Sequence, residues 1–229
     1  MKTHSVRRAV SIGTASQLCR STSDNYEAAR PARLHKFQWL LAMLFAATVL
    51  IAAQSAHGAT VFSHSPVSMS SSRTINSNAL AHPDGSDHDV TTFDRFALDK
   101  AATIASISWR GAASTPAMAG FTVKIYPSKS DSAAQADINN PLAVLHVTGN
   151  AEEMKLDDRL SDYRAILVEP LALEAGVQYW LSIVSDRKDL SPWGWAEGSG
   201  GDGKSIQSYA EFKVLPAPGD RTFTLDDGR

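Results

Sequence analysis

Residues Gly120 to Tyr126 read GFTVKIY, and Val177 to Val184 read VQYWLSIV. In both stretches apolar and polar side chains alternate, so that Phe121, Val123 and Ile125 point to one side of the chain in the first. Alternation with a period of two is the pattern of a β-strand that buries one of its two faces. The sequence therefore predicts that both stretches are half-buried strands.

Further runs with a strand-like composition lie between clusters of Pro, Gly, Asn, Asp and Ser. They are Thr91–Leu98, Ala102–Arg110, Leu142–Thr148, Tyr163–Val168, Ile206–Val214 and Thr222–Leu225. The best helical candidate, Ala151 to Leu160 (AEEMKLDDRL), is short and highly charged. About eight strands with so little helix predict an all-β fold, an antiparallel β-sandwich of the jelly-roll kind.

An apolar run lies near the N-terminus. Residues 37–53 read FQWLLAMLFAATVLIAA and contain no charge, while the residues before them carry seven Lys and Arg against two Asp and Glu. A basic region, a short apolar stretch and small residues after it are the features of a secretory signal peptide. We therefore predict a signal peptide with a long basic region and a helical apolar run over residues 1–59. The alternative is an uncleaved membrane anchor, for which seventeen residues is the short limit.

The basic charge of the leader offsets the acidic charge of the rest of the chain. The 229 residues carry a net charge of -2, which divides into +5 for residues 1–59 and -7 for residues 60–229. An acidic domain argues against a nucleic-acid partner. The single cysteine, Cys19, excludes an internal disulfide framework and a thiolate-rich metal site. We expect an irregular N-terminal arm over 60–89, a β-sandwich domain over 90–229, and a secreted, periplasmic or extracellular location.

The order of several segments resembles a known module. These segments are FDRFALDKAATIASISWRG, GFTVKIYPS, PLAVLHVTGN, EPLALEAGVQYWLSIVSD, WGWAEGSGGDGKSIQS and RTFTLDDG. Together they are similar to a secreted bacterial β-sandwich module of exported proteins, some of which carry PEP-CTERM-type sorting tails. The resemblance covers residues 91–228. It implies the fold and export, and it implies no particular chemistry.

Two tryptophans suggest a ligand site. Trp193 and Trp195 stand two residues apart, so a strand would project both indoles to the same side. With Asp202, Gln207 and Tyr209 they would form an aromatic surface with hydrogen-bonding groups, the composition that binds sugar rings. The alternative is that both indoles fill the core. Trp109 and Trp180 are expected in the core or between strands.

The segment HPDGSDHD suggests a weak metal site. Asp84, Asp87 and Asp89 could hold Ca²⁺, although Arg95 occupies the position where an EF-hand loop needs glutamate. A solvated acidic loop is the alternative. We expect no other cofactor.

Residues 198–205 read GSGGDGKS and satisfy the phosphate-loop pattern. Only 24 residues follow, and they have strand-like composition where a nucleotide domain needs a helix and a parallel sheet. We therefore predict a glycine-rich hairpin loop and no nucleotide partner. Neither HExxH nor GxSxG occurs, and the carboxylates are scattered.

Three functions remain open from the sequence. The first is an exported, non-enzymatic β-sandwich that binds an extracellular glycan or protein. The second is a structural or matrix component without a small-molecule ligand, and the third is a carboxylate-dependent enzyme acting on glycans. Contact with a membrane is expected only through an uncleaved leader.

Overall fold

The computed structural model describes residues 58–67, 73–80, 89–209 and 213–228. These residues form strands, turns and loops, and none of them belongs to a helix with the length and hydropathy of a membrane span. The all-β prediction is confirmed. The predicted leader lies outside the described residues, apart from its last two positions.

The described residues form sixteen strands. In chain order they are β1 Thr60–Pro66, β2 Thr74–Asn76, β3 Asn78–Ala79, β4 Val90–Ala97, β5 Ala102–Ala112, β6 Met118–Lys129, β7 Ser132–Ala136, β8 Ala143–Thr148, β9 Met154–Lys155, β10 Leu160–Leu173, β11 Gln178–Arg187, β12 Gly194–Ser199, β13 Lys204–Tyr209, β14 Lys213–Pro218, β15 Asp220–Arg221 and β16 Phe223–Asp226.

The strands form two sheets of a β-sandwich. The first has the order β15-β12-β1-β16-β5-β10-β9, with β2 paired to β12. The second has the order β14-β13-β4-β3-β11-β6-β7, with β8 paired to β6. Neighbouring strands are antiparallel, except that β3 runs parallel to β11. The first strand of the described chain thus pairs with the last, β16.

The core holds the side chains that alternate inward from both sheets. Phe121, Val123 and Ile125 of β6 are buried, as their spacing predicts, and so are Leu181 and Ile183 of β11. The first sheet contributes Ile107 and Trp109 of β5 and Phe223 and Leu225 of β16 to the same cluster. The opposite face of the second sheet carries a smaller buried cluster of Phe93, Tyr126, Ala136 and Trp180.

One expectation about the chain is wrong, and the best helical candidate is not a helix. The N-terminal arm is not irregular throughout, because β1, β2 and β3 lie within residues 60–89 and pair with the sheets. Residues 151–160 form no helix: Ala151 and Glu152 have φ values of 48° and 50°, and Glu153 N–H donates to Asn150 O at 3.0 Å. These features define a type I′ turn, which leads into β9.

Candidate functional site

Trp193 and Trp195 do not form a surface platform. Their residues are 1% and 0% exposed, and their indole N–H groups donate to the carbonyls of Ala112 and Thr222, both at 2.8 Å. Gly111 of β5 makes room for them, since a Cβ there would lie 2.1 Å from the Trp193 ring. The two indoles share a side of the chain, as predicted, but that side faces the core. The prediction that they stack on a sugar is therefore wrong.

The other three predicted ligand residues lie at the surface on or before β13. Asp202 forms an ion pair with Arg95. Gln207 donates to Asn76 O at 2.8 Å and accepts the Tyr209 hydroxyl hydrogen bond at 2.9 Å. Gln207 and Tyr209 therefore lie together, without the indoles beside which the sequence placed them.

The predicted calcium loop is described only at its end. Asp84 and Asp87 lie outside the described residues. Asp89 accepts a hydrogen bond from Leu80 N–H at 2.7 Å, a backbone contact that the sequence pattern did not indicate.

Trp109 and Trp180 are both buried, which confirms their predicted place in the interior. Trp109 packs edge-to-face on Phe121 with ring centroids 5.1 Å apart, while Trp180 belongs to a smaller cluster with Phe93 and Tyr126. The four indoles of the described residues therefore stabilise the sandwich.

A buried polar network joins the two sheets. His64 of β1 lies with Nδ1 2.9 Å from Asp94 Oδ2 on β4, and the Arg221 backbone N–H donates to the same oxygen at 2.6 Å. Burial raises the pKa of Asp94, against the lowering effect of its hydrogen bond with His64. The Arg221 guanidinium donates to the carbonyls of Pro218 and Gly219 at 2.6 and 3.1 Å. These contacts hold β1 and β15 of one sheet against β4 of the other.

The glycine-rich segment is a loop between β12 and β13, but it is not the predicted hairpin, because β12 pairs within the first sheet and β13 within the second. Gly201 and Gly203 donate their backbone N–H groups to the two carboxylate oxygens of Asp220, at 2.9 and 2.8 Å. Successive backbone N–H groups that converge on an anion form a nest, the same device that cradles phosphate in nucleotide-binding loops. Here the anion is the carboxylate of Asp220. The phosphate-loop pattern therefore corresponds to a contact within the protein.

His64, Asp94 and Asp220 form the one grouping of metal-ligating side chains that the described residues contain, with one atom of each within 4.8 Å of the others. Their oxygens already accept N–H groups, and the buried Arg221 supplies positive charge beside them. This donor set fits a closed hydrogen-bond network better than a cation site.

A second polar cluster faces solvent on the outer side of the first sheet. Register places Ser108 of β5 opposite both Arg164 of β10 and Thr224 of β16, and Arg110 opposite Asp162. Because directly paired residues share a face, these side chains point away from the core. With Glu152 they line an open groove of about 500 Å³, which we call the Asp162 groove.

The charges of the Asp162 groove are held in pairs. Arg110 donates to Asp162 through Nε at 2.7 Å and through a terminal nitrogen at 2.9 Å, so the planar guanidinium fixes the carboxylate orientation. The Arg110 side chain is 7% exposed, whereas that of Asp162 is 31% exposed. Arg164 lies 3.9 Å from Glu152 and donates to Ser106 Oγ at 3.3 Å. Arg110 is thus a positioning residue, and Asp162 is open to a ligand.

The type I′ turn fixes Glu152 at the rim of this groove. Two successive residues with side chains in the left-handed region cost on the order of 1–2 kcal/mol each. Glu153 anchors the turn by accepting hydrogen bonds from the backbone of Ser114 at 2.8 Å and from the hydroxyl of Ser161 at 2.6 Å. Burial raises the pKa of Glu153, but the bonds from Ser114 and Ser161 outweigh it and leave the pKa below its usual value.

Neither cluster was predicted from the sequence. Arg164 lies in the strand predicted over 163–168 and Asp162 directly precedes it, so a strand begun a few residues earlier would have placed both on one face. The identity of the strand that lies beside β10 could not be read from the sequence. His64, Asp94 and Asp220 are far apart in the chain and carry no local motif.

No protein-family model matches the chain, and no curated protein matches it either.

Proposed function

We propose that the protein is an exported, non-enzymatic β-sandwich that binds an extracellular glycan in the Asp162 groove. Export is supported by the basic leader with its apolar run and by the resemblance to a secreted bacterial module. The groove replaces the tryptophan platform as the ligand site of this proposal.

The observation that carries the proposal is the Asp162–Arg110 pair beside Arg164 on one rigid sheet face. A sugar hydroxyl both donates and accepts a hydrogen bond, so neighbouring hydroxyls need an acceptor and a donor at fixed positions. Asp162 offers carboxylate oxygens and Arg164 offers guanidinium N–H groups, while Ser108 and Thr224 add hydroxyls between them. Met154, which is largely exposed at the same groove, offers apolar surface for a ring face.

A polysaccharide panel titrated against the purified protein tests the proposal. We expect a glycan from the panel to bind, and Asp162→Asn to weaken its affinity at least about tenfold, because the amide presents an N–H donor where the ligand meets an acceptor. The matched control is Asp131→Asn, an exposed aspartate beyond β6 on the second sheet, which should leave the affinity unchanged.

Equal affinities of Asp162→Asn and Asp131→Asn would contradict the assignment of the Asp162 groove as the ligand site. An absence of binding across the panel would favour the structural or matrix role instead.

A glycan-active enzyme is the second candidate, because two carboxylates, Glu152 and Asp162, line the same groove. Glycoside hydrolysis uses two carboxyl groups on either side of the scissile bond. Reducing ends released by the wild type and lost in both Glu152→Gln and Asp162→Asn would establish this candidate over the binding function.

A further inference from the structure

The outer face of the second sheet carries a polar cavity that lies apart from the Asp162 groove. Its volume is about 290 Å³, close to the lower limit for small-molecule sites. Register places Thr122 of β6 opposite His146 of β8, and Lys124 of β6 opposite Ser182 of β11, so these side chains share one face. The polar side chains that line the cavity include Thr122, Lys124, Tyr126, His146, Ser182 and Asp186.

Two buried hydroxyl groups in this cavity share a single hydrogen bond. Tyr126 and Ser182 are 4% and 1% exposed, and their hydroxyl oxygens lie 3.5 Å apart. That bond uses the hydrogen of one hydroxyl, and within the described residues neither hydroxyl has another partner. Burial raises the pKa of Tyr126, so the phenol keeps its hydrogen. Because buried polar groups are almost always hydrogen-bonded, the second O–H is a donor available to a ligand in the cavity.

Lys124 adds a positive charge beside these hydroxyls. Its side chain is half-buried. Within the described part of the chain Lys124 takes part in no ion pair. An anion offsets the cost of desolvating an ammonium group, and the charged hydrogen bond between them is stronger than a neutral one. Lys124 and the free O–H together suit one carboxylate.

The next positions along the same strands offer hydrogen-bond acceptors. The Thr122 hydroxyl donates to Asp186 Oδ2 at 3.0 Å and lies 3.1 Å from His146 Nδ1. Because its one hydrogen goes to Asp186, Nδ1 of a neutral His146 is the donor in the second contact, and Nε2 is left as an acceptor. These groups suit a hydroxyl or ammonium group of a ligand. The negative charge of Asp186 disfavours a dianion such as phosphate.

We propose that this cavity binds a small organic acid that carries a hydrogen-bond donor next to its carboxylate. The carboxylate meets Lys124 and the free O–H of the Tyr126–Ser182 pair. A hydroxyl or ammonium group of the same molecule donates to Asp186. The site lies on the second sheet, so it is independent of the Asp162 groove on the first.

NMR titrations of the purified full-length protein with L-lactate, L-alanine and propionate test this site. The three acids share one carbon skeleton, and only lactate and alanine carry a donor beside the carboxylate. We expect one of these two to shift the backbone resonances of β6 and β11 and to bind at least about tenfold more tightly than propionate, because only they can donate to Asp186. The tighter of the two identifies the donor as hydroxyl or ammonium. Its amide, which lacks the negative charge, should bind at least about tenfold more weakly.

Substitutions locate the binding in the cavity. Lys124→Gln should lower the affinity for the tighter acid at least about tenfold, because it removes the charge that meets the carboxylate. The matched control is Lys129→Gln at the end of the same strand, where Nζ donates to Gln135 Oε1 at 3.0 Å, and it should leave the affinity unchanged. Tyr126→Phe keeps the ring, removes the hydroxyl and should lower the affinity about threefold to tenfold. Circular dichroism shows whether each variant is folded.

The absence of resonance shifts with all three acids would overturn the proposal, because the cavity would then be closed to such ligands. Equal affinities of Lys124→Gln and Lys129→Gln would also overturn it, since the carboxylate would then bind elsewhere. Propionate that binds as tightly as lactate and alanine would refute the role of Asp186.

Discussion

The His64 network and the Asp162 groove contain the same kinds of group in opposite surroundings. In the network, Asp94 and Asp220 are buried and their oxygens accept N–H groups from the chain itself. In the groove, Asp162 is paired with the guanidinium of Arg110 and is 31% exposed. The network therefore acts on the stability of the fold, whereas Asp162 of the groove is accessible to solvent. Burial, and not residue type, separates the two roles.

The largest expected effect is the difference in unfolding free energy between Asp94→Asn and Asp162→Asn. The asparagine at position 94 has one oxygen for the N–H groups of His64, Arg95 and Arg221, so at least one N–H meets an amide N–H in the interior. Breaking a buried charge network in this way should cost about 3–5 kcal/mol of unfolding free energy. Asp162→Asn should cost less, about 1–2 kcal/mol, because Asp162 is 31% exposed and the asparagine oxygen still accepts one N–H from Arg110.

Urea unfolding followed by tryptophan fluorescence measures both values. Equal losses of unfolding free energy in Asp94→Asn and Asp162→Asn would contradict the difference between the network and the groove.

A smaller effect is expected in the glycine-rich loop. A Cβ on Gly201 would lie 2.6 Å from both Asp220 Oδ1 and His64 Nε2, which are held in place by their own hydrogen bonds. Gly201→Ala should therefore cost about 2–3 kcal/mol. Gly203→Ala meets no atom within 4 Å but has a φ of +72°, so about 1 kcal/mol is expected. The same unfolding experiment ranks the two, and a costlier Gly203→Ala would show that the loop does not close on the network.

The smallest effect concerns the pH dependence of stability, and the direction of the change tests the prediction. Burial, as the leading cause, raises the native pKa of Asp94 above its usual value of 3.8. A carboxyl with a raised native pKa adds most to stability when the pH is below 3.8, and this contribution is lost as the pH rises through the native pKa. The stability of the wild type relative to Asp94→Asn should thus fall from acid towards neutral pH. A relative stability that rises over this interval would contradict the assignment.

The strand pattern could be predicted from sequence because it is local. Alternation at 120–126 and 177–184 located β6 and β11, and the interior place of Trp109 followed from the same period. One predicted strand over 206–214 is in fact divided between β13 and β14, which pair antiparallel. Alternation assigns residues to two faces but does not say which face is covered, so the sequence left both a surface and a core place open for Trp193 and Trp195, and the structure shows the core.

The sites depend on contacts that local patterns do not carry. His64 lies 30 residues from Asp94 in the chain, and Arg221 lies 127 residues from Asp94. The GSGGDGKS segment shows the opposite problem, because its pattern is strong but its ligand is Asp220, which the pattern does not include. Sequence reasoning could reject a nucleotide there from context, yet it could not name the carboxylate that takes the phosphate's place.

The pairing of β1 with β16 bears on the order in which the chain can fold. One of the two neighbours of β1 is β16, the last described strand, and the network needs His64 from β1 and Asp220 from β15. Contacts between such distant segments form late, since loop closure must precede them. A chain that emerges N-terminus first therefore cannot complete its first sheet until β16 is free to pair. Until then β1 and half of the buried network have no partner across the sheet.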